Sequence, residues 1–178
     1  MRFPILMLAV AGAALMSGCS SLVSLNPFVS DEEAVISPLL TGVWNTGEND
    51  GLVVIRQSGT HYTILYAEDN SKTLQFEGRL IRAGEAELLD LVPNVDNGFS
   101  IPVHTLVRVW PGQAELRWAF LESDWLKQQA VRQLASQASG DRTLLTAPGA
   151  AVRGLLAKYG ADEKAYSKQQ VMRREAGF

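Results

Sequence analysis

The run Thr73-Leu74-Gln75-Phe76-Glu77-Gly78-Arg79-Leu80-Ile81-Arg82 alternates apolar and polar side chains along most of its length. A period of two places successive side chains on opposite faces of a strand, so this run predicts a strand with one buried face. Gly78 interrupts the apolar row, and glycine in a strand often marks a bend or bulge where a sheet curves into a barrel.

The same period extends in both directions, from Thr41 to Leu121, with turn signals such as Pro111-Gly112 between the runs. In the last run, Ala114, Leu116, Trp118 and Phe120 are predicted to point inward. The predicted strands are Gly42–Asn45, Leu52–Gln57, His61–Ala67, Lys72–Ala83, Glu85–Val92, Ile101–Trp110 and Gln113–Leu121. Short strands joined by tight turns predict a mainly β fold, an antiparallel meander that closes as a barrel or forms a sandwich.

Beyond Leu121 the apolar period becomes helical. Ser123 is a candidate cap for a helix whose apolar face holds Leu126, Ala130, Leu134 and Ala138. A second helix is predicted to open at Thr146 and Pro148 and to end at Gly160. The last stretch, 162–178, is either a polar helix or a turn followed by an edge strand at Gln170–Arg174, and we favour the strand. We expect the helices to cover the outside or one end of the sheet.

The chain begins with Met1-Arg2, an apolar run from Ile5 to Leu15, and Met16-Ser17-Gly18-Cys19. A charged start, a short apolar segment and small residues are typical of an export signal. The segment resembles the signal of bacterial lipoproteins, in which the cysteine receives diacylglycerol and becomes the acylated first residue. The alternative is a plain secretory peptide. The resemblance implies a signal peptide at 1–18 and lipidation of Cys19.

Residues 19–40 are predicted to be a lipidated N-terminus and a flexible tether, because Ser20–Pro38 is rich in serine and proline and has little periodic pattern. A coil of that length would hold the domain about 20–25 Å from the membrane. A single turn of helix at 31–36 is marginal without packing support. Residues 41–178 are then one β domain with C-terminal helices.

In the lipoprotein family a residue other than aspartate after the cysteine allows transfer outward, and here it is Ser20. The implied location is the cell envelope, on the outer membrane facing the periplasm if the organism has two membranes. Cys19 is the chain's only cysteine, and a thioether consumes its sulfur. A thiol nucleophile, a disulfide and a cysteine-bound metal are therefore excluded.

The formal net charge of the 178 residues is −3, and removal of Arg2 with the signal leaves fifteen basic against nineteen acidic residues. The sequence has no basic stripe to neutralise phosphates. Nucleic-acid binding and electrostatic docking on anionic headgroups are both disfavoured.

Gly42-Val43-Trp44 opens the first predicted strand after an irregular segment, and it is similar to the Gly-x-Trp signature of lipocalins. The resemblance implies a single lipocalin-like barrel of about eight strands with an attached helix, and members of that family include bacterial lipoproteins. It also implies that a late arginine, Arg173 or Arg174, packs over Trp44. Pro102-Val103-His104 and the stretch 120–126 resemble uncharacterised bacterial lipoproteins, which implies no known activity.

Candidate residues for chemistry are few. His104 shares a strand face with Leu106 and Trp110, and only two histidines exist, so a metal site is disfavoured. No serine lies in a Gly-x-Ser-x-Gly sequence. We expect no catalytic residue, metal or cofactor, although His104 with a nearby carboxylate is the one candidate for an enzyme.

Aromatic side chains recur at like-parity positions of the strands, so a closed sheet would direct them into a cavity for an acyl chain or a flat apolar ligand. The alternative is that they fill the core of a small barrel. The candidate lining consists of Tyr62, Tyr66, Phe76, His104, Trp110 and Trp118.

Two functions remain open. The first is a lipid-anchored module that binds a hydrophobic small molecule or a lipid in the barrel. The alternative is a non-catalytic structural or accessory lipoprotein that contacts other envelope proteins through an apolar patch along Leu144-Leu145 and Ala150–Leu156.

Overall fold

The structure, a computed structural model, describes residues 22–47, 51–67, 73–94, 101–125, 134–139 and 142–176. The strands are β1 (Leu22–Ser24), β2 (Gly42–Asn45), β3 (Leu52–Ser58), β4 (His61–Ala67), β5 (Leu74–Ala83), β6 (Ala86–Pro93), β7 (His104–Pro111), β8 (Glu115–Phe120), β9 (Ser136–Ser139), β10 (Arg142–Leu145) and β11 (Gln170–Arg174). The α-helix α1 spans Gly149–Tyr159, and 3-10 turns span Pro38–Leu40 and Glu163–Ala165. Residues 123–125 are also helical.

Eight strands close into an antiparallel barrel. Strands β2 to β8 pair in chain order, and β11 lies between β8 and β2 and completes the ring. The prediction of a mainly β fold with a closed meander is confirmed, and the sandwich alternative is excluded. The closing strand is the predicted edge strand at Gln170–Arg174, and α1 precedes it in the chain.

The two ends of the barrel differ in their connections. At one end, here called the plugged end, β3–β4, β5–β6 and β7–β8 are joined by two, two and three residues. At the other, the loop end, β2–β3, β4–β5 and β6–β7 are joined by six, six and ten residues. Long connections on a rigid scaffold are the usual place for binding residues, so the asymmetry favours the loop end as the site of function.

The first core fills the inside of the barrel. It contains a fully buried Trp44, Tyr62 and Leu80, together with Leu40 from the 3-10 turn. Gly78 is buried opposite Tyr62, and its missing side chain leaves room for Ile64, Leu89 and Leu91. A Cβ at this position would lie 3.0–3.4 Å from these three side chains, so the glycine relieves crowding in the barrel interior.

A second core lies between the outside of β6–β8 and the segments that cover it. Helix α1 contributes Val152, Leu155 and Leu156, and the barrel contributes Leu88 and Leu106. The prediction that a helix covers the outside of the sheet holds for α1. The apolar patch expected along Leu144-Leu145 and Ala150–Leu156 is largely buried here, since its larger apolar side chains except Leu144 lie in this core.

Residues 22–40 do not form the flexible tether that the sequence predicted. Strand β1 pairs with β7 and β10, and Phe28 and Val29 are completely buried in the second core. Val35 donates a backbone hydrogen bond to Leu80, beyond the end of the β4–β5 pairing. The segment crosses the barrel as a packed strap, because contacts distant in sequence supply the order that local pattern lacks.

The helix predicted to reach Ala138 is wrong at its C-terminal end. Residues 136–139 form β9, which pairs antiparallel with β10. Strand β10 in turn pairs with β1, so a small sheet extends from β7 beside the barrel. The predicted positions Leu126 and Ala130 lie outside the described residues, as do residues 1–21 with the signal and Cys19.

No helix within the described ranges combines the length and apolar character needed to cross a bilayer.

Candidate functional site

The plugged end is sealed by Trp44 and Arg174. The Arg174 guanidinium stacks over the indole ring, with Cζ 4.0 Å from its centroid, and Trp44 Nε1 donates to the Leu40 carbonyl at 2.9 Å. Arg174 also donates to three carbonyls, those of Gln113, Thr41 and Leu39. Gly42 has φ +148°, and a side chain there would collide with Arg174. This is the arginine–tryptophan contact that the lipocalin resemblance implied, and Arg174 makes it.

Tyr62 joins the strap to the same end. Its hydroxyl accepts from the Ser37 amide at 2.7 Å and donates to the Ser37 carbonyl at 3.2 Å. Burial raises the pKa of the Tyr62 phenol above its ordinary value. Tyr62 is fully buried, and its hydroxyl makes two hydrogen bonds to Ser37. It therefore holds the strap against the plugged end and does not line an accessible cavity.

The loop-end half of the interior is walled by apolar side chains that are only partly buried. Tyr66, Phe76, Leu91 and Trp118 pack against the first core without being enclosed by it. Leu74 and Phe120, on the same inward rows, are exposed. The interior is therefore fully packed towards the plugged end, whereas the apolar side chains towards the loop end are only partly buried.

Among the described side chains of this half, Trp118 carries the one polar atom that is buried without a hydrogen-bond partner. Its Nε1 is out of reach of solvent and has no hydrogen-bond acceptor among the described residues. The ring meets Phe120 edge-on, at 5.0 Å between centroids. An orphan buried donor costs about 1–3 kcal/mol, so an acceptor supplied from outside the chain would be stabilising.

His104 and Trp110 do not line the interior, contrary to the sequence prediction. Cross-strand partners share a face, and Trp110 pairs with Arg117 on the outside, whereas its neighbour Val109 pairs with Trp118 on the inside. His104 lies on the same outer row as Trp110. Of the six candidate lining residues, His104 and Trp110 therefore lie on the outside. The other four lie inside the barrel, namely Tyr62, Tyr66, Phe76 and Trp118.

On the outside, His104 meets a carboxylate that anchors the strap. Its Nδ1 lies 3.0 Å from Asp90 Oδ1, and Asp90 Oδ2 accepts from the amides of Phe28 and Val29 at 3.0 and 3.3 Å. Asp90 is 2% exposed. Sequence reasoning did not identify this residue as an anchor. The signal that would have found it is its position on the apolar row of Ala86 and Leu88.

Among the described residues, no hydroxyl nucleophile is hydrogen-bonded to the His104–Asp90 pair. The nearest serine in register is Ser24, opposite His104 on β1, and its hydroxyl instead donates to the Asn26 carbonyl at 2.7 Å. Asp90 already accepts two backbone amides, which is the arrangement of a structural anchor. The pair gives no support to nucleophilic catalysis.

Arg108 is a second buried charge that sequence reasoning missed. Its guanidinium lies between the rings of Trp110 and Tyr166, with Cζ 4.7 and 5.5 Å from their centroids, and it donates to the Ala161 carbonyl at 3.0 Å. Cation–π contacts with two rings offset part of its desolvation. Arg108 thus fastens the segment after α1 to the barrel.

Two surface depressions also lie on the outside. One, of about 1200 Å³, runs between the turns of the plugged end and includes Leu39 and Trp110. The other, of about 400 Å³, includes His104 and Arg79. Both are open and bordered by ion pairs, so neither has the enclosed apolar shape of a small-molecule site.

Within the described part of the chain, no three histidine, cysteine, aspartate or glutamate side chains come close enough to hold a metal ion. Comparison of the chain with protein-family models, with curated proteins and with solved structures finds no match.

Proposed function

We propose that this protein is a lipid-anchored protein of the bacterial envelope that holds an apolar small molecule or a lipid in the loop-end half of its barrel. The observation that carries the proposal is the contrast between the two halves of the interior. The plugged half is fully packed, whereas Tyr66, Phe76 and Trp118 leave apolar surface partly exposed at the loop end. Mostly apolar walls with a few polar groups are typical of small-molecule sites.

The chemistry of the walls narrows the ligand class. At the described inward positions of the loop-end half no side chain is charged, so a buried carboxylate would lack a counter-charge and cost several kcal/mol. Trp118 Nε1 is a neutral donor without an acceptor. The favoured ligand is therefore an apolar molecule with a neutral oxygen acceptor, such as an ester or ketone carbonyl, which would pair with Trp118 Nε1 once the indole turns towards the ligand.

Native mass spectrometry of the domain from Ser20 onward, exported without Cys19 and purified from envelope extract without detergent, tests the cavity. We expect a stoichiometric adduct with the mass of a lipid or another apolar molecule. The adduct should be lost when Phe76 is changed to aspartate. A clean apo mass together with no uptake of added ligand would overturn ligand binding.

A matched set of probes tests the ligand class, namely methyl dodecanoate, tridecane and dodecanoate. The ester is expected to bind most tightly, and Trp118→Phe to weaken the ester about fivefold while leaving tridecane unchanged, because one neutral hydrogen bond contributes about 1 kcal/mol. Trp110→Phe, on the outer face, is the control and should change none of the three affinities. If Trp118→Phe weakens the binding of the ester and of tridecane by the same factor, the role of Trp118 is packing only.

The anchor is supported by Met16-Ser17-Gly18-Cys19. The intact mass of the envelope protein is expected to show cleavage before Cys19 and the added mass of the acyl chains, and Cys19→Ser to abolish both. A soluble, unacylated wild-type product would favour the plain secretory peptide.

The accessory-lipoprotein alternative loses the patch that motivated it, since Leu145, Val152, Leu155 and Leu156 are buried. Crosslinking in the intact envelope separates the two functions. A single stoichiometric protein partner captured by a protein that carries no ligand would favour the accessory role.

A further inference from the structure

The smaller of the two surface depressions, of about 400 Å³, lies on the outer face of the barrel. The strand register builds it. Glu77 pairs with Val92 across β5 and β6, and Val92 lies level with His104, because the preceding pair joins Leu91 to Thr105. Val92 therefore forms a floor between the side chains of Glu77 and His104, whose backbones are two strand spacings, or roughly 10 Å, apart.

His104 presents one ring nitrogen to this depression. Its Nδ1 lies 3.0 Å from Asp90 Oδ1, and an ionised carboxylate only accepts, so the proton of a neutral imidazole lies on Nδ1 and Nε2 keeps its lone pair. No described residue bonds to Nε2. Nε2 is also open to solvent, since the buried side-chain atoms without a partner, among the described residues, belong to Arg108 and Trp118. The buried aspartate thus fixes an accessible hydrogen-bond acceptor.

The charges around the depression are mainly negative. Arg79 is the single cation among the described lining residues, and it pairs with two carboxylates, those of Glu77 and Asp31. Asp90 lies behind His104 as a third carboxylate. The side chain of Glu77 is 45% exposed, so its carboxylate remains accessible. This net negative charge attracts a cation and repels an anion.

These features narrow the class of ligand. The open, polar shape does not suit an apolar molecule, but it suits one that is charged and soluble in water. A metal ion needs at least a third protein ligand, and the described residues bring no such group of three together. The groups available are a carboxylate at one side and a neutral nitrogen acceptor at the other.

We propose that this depression binds a small organic cation that carries two hydrogen-bond donors. Its ammonium group pairs with Glu77, and its second N–H or O–H group donates to His104 Nε2. A short α,ω-diamine is the simplest molecule of this class. The proposal depends neither on the ligand inside the barrel nor on the lipid anchor.

Calorimetric titration of the mature chain from Ser20 onward, at about pH 8, above the pKa of histidine in model peptides, tests the class of ligand. The probes are 1,4-diaminobutane, butylamine and butanoate. We expect saturable binding of the diamine and about tenfold weaker binding of butylamine, which lacks the second donor. Butanoate should not bind. No binding of the diamine, equal binding of the two amines, or tighter binding of butanoate would each overturn the proposal.

His104→Asn separates the two ring nitrogens, because the asparagine amide can still donate to Asp90 but has no acceptor at the position of Nε2. We expect this variant to weaken the diamine about tenfold and to leave butylamine unchanged, and Glu77→Gln to weaken both amines. His61→Asn, at the start of β4, changes the chain's other histidine and is the control. Unaltered diamine binding by a folded His104→Asn protein, checked by near-ultraviolet circular dichroism, would exclude the contact.

NMR of the two imidazole rings, labelled with ¹⁵N, reads the tautomer without any substitution. We expect the proton of His104 on Nδ1, and a change in the Nε2 chemical shift when 1,4-diaminobutane is added. The ring of His61 should not respond. A proton on Nε2 in the neutral ring, or an unchanged Nε2 shift at saturating diamine, would contradict the assigned acceptor.

Discussion

Tyr62 shows how much one hydroxyl contributes at the plugged end. Tyr62→Phe leaves the buried Ser37 amide without its acceptor, so we expect the free energy of unfolding to fall by about 1–3 kcal/mol in urea titrations. Tyr159→Phe, at a half-buried position on α1, is the control and should change stability by less than about 0.5 kcal/mol. An equal effect of the two substitutions would contradict the role given to the Ser37 contact.

The phenol of Tyr62 makes the free energy of unfolding depend on pH in the alkaline range. Burial raises the pKa of Tyr62, and also that of Tyr166, in the folded state. A raised folded pKa means that the stabilisation is complete below the unfolded pKa of about 10 and is lost as the pH rises through the folded value. We expect the free energy of unfolding to decrease above about pH 10, and Tyr62→Phe to remove part of that decrease. Parallel pH profiles for the two proteins would argue against it.

Asp90 anchors the strap through its charge. Asp90→Asn removes a carboxylate that accepts from Phe28, Val29 and His104, and hydrogen bonds to a charged group contribute about 1.5–3 kcal/mol. We expect a loss of that size in unfolding titrations, with faster hydrogen exchange at the amides of Phe28 and Val29. Asp31→Asn, which breaks an exposed ion pair with Arg79, is the control and should cost less than about 1 kcal/mol.

At the scale of single elements, helix α1 tests the second core. Leu156→Ala removes a buried side chain between the helix and the barrel, and we expect a loss of about 2–5 kcal/mol. Ala157→Ser on the exposed face should leave stability nearly unchanged. If both variants unfold at the same denaturant concentration as the parent, α1 does not contribute to the stability of the barrel.

Strands with clear alternation were predictable from the sequence. The bounds of β2, β4 and β11 agree with the prediction, and those of the other barrel strands differ by at most three residues at either end. Strand β9 was not predictable, because Ser136-Gln137-Ala138-Ser139 has low β propensity and its pairing with β10 is the interaction that favours an extended chain. The packed strap was not predictable for the same reason. The amides of Phe28 and Val29 donate to the carboxylate of Asp90, about sixty residues away in the chain, and no local pattern indicates this contact.

The site was predictable where only one strand face is apolar. Tyr62, Tyr66, Phe76 and Trp118 lie inside, as expected from parity. Parity fails for β7, which is apolar on both faces, with Val107 and Val109 inside and Leu106 outside. The pattern placed His104 and Trp110 together on one face of β7, but it contained no information on which of the two faces points into the barrel.

For the whole molecule, a bound ligand should raise stability by mass action. At a free ligand concentration one hundred times the dissociation constant, the gain is about 2.7 kcal/mol. We expect the midpoint of thermal unfolding of the soluble domain to rise with the concentration of methyl dodecanoate, and the rise to be smaller for Trp118→Phe. A midpoint independent of ligand concentration would contradict binding to the folded state.

The position of the closing strand has a consequence for how the chain folds. Strand β11 pairs with β2, some 130 residues earlier in the chain. Closing so long a loop costs entropy before any contact offsets it, so folds of this kind form slowly. Until β11 has paired, β2 and β8 both present open edges, and such edges are sites of aggregation. Every strand of the ring but one can therefore be in place while the barrel is still open, and the pairing of β11 is the step that removes both edges.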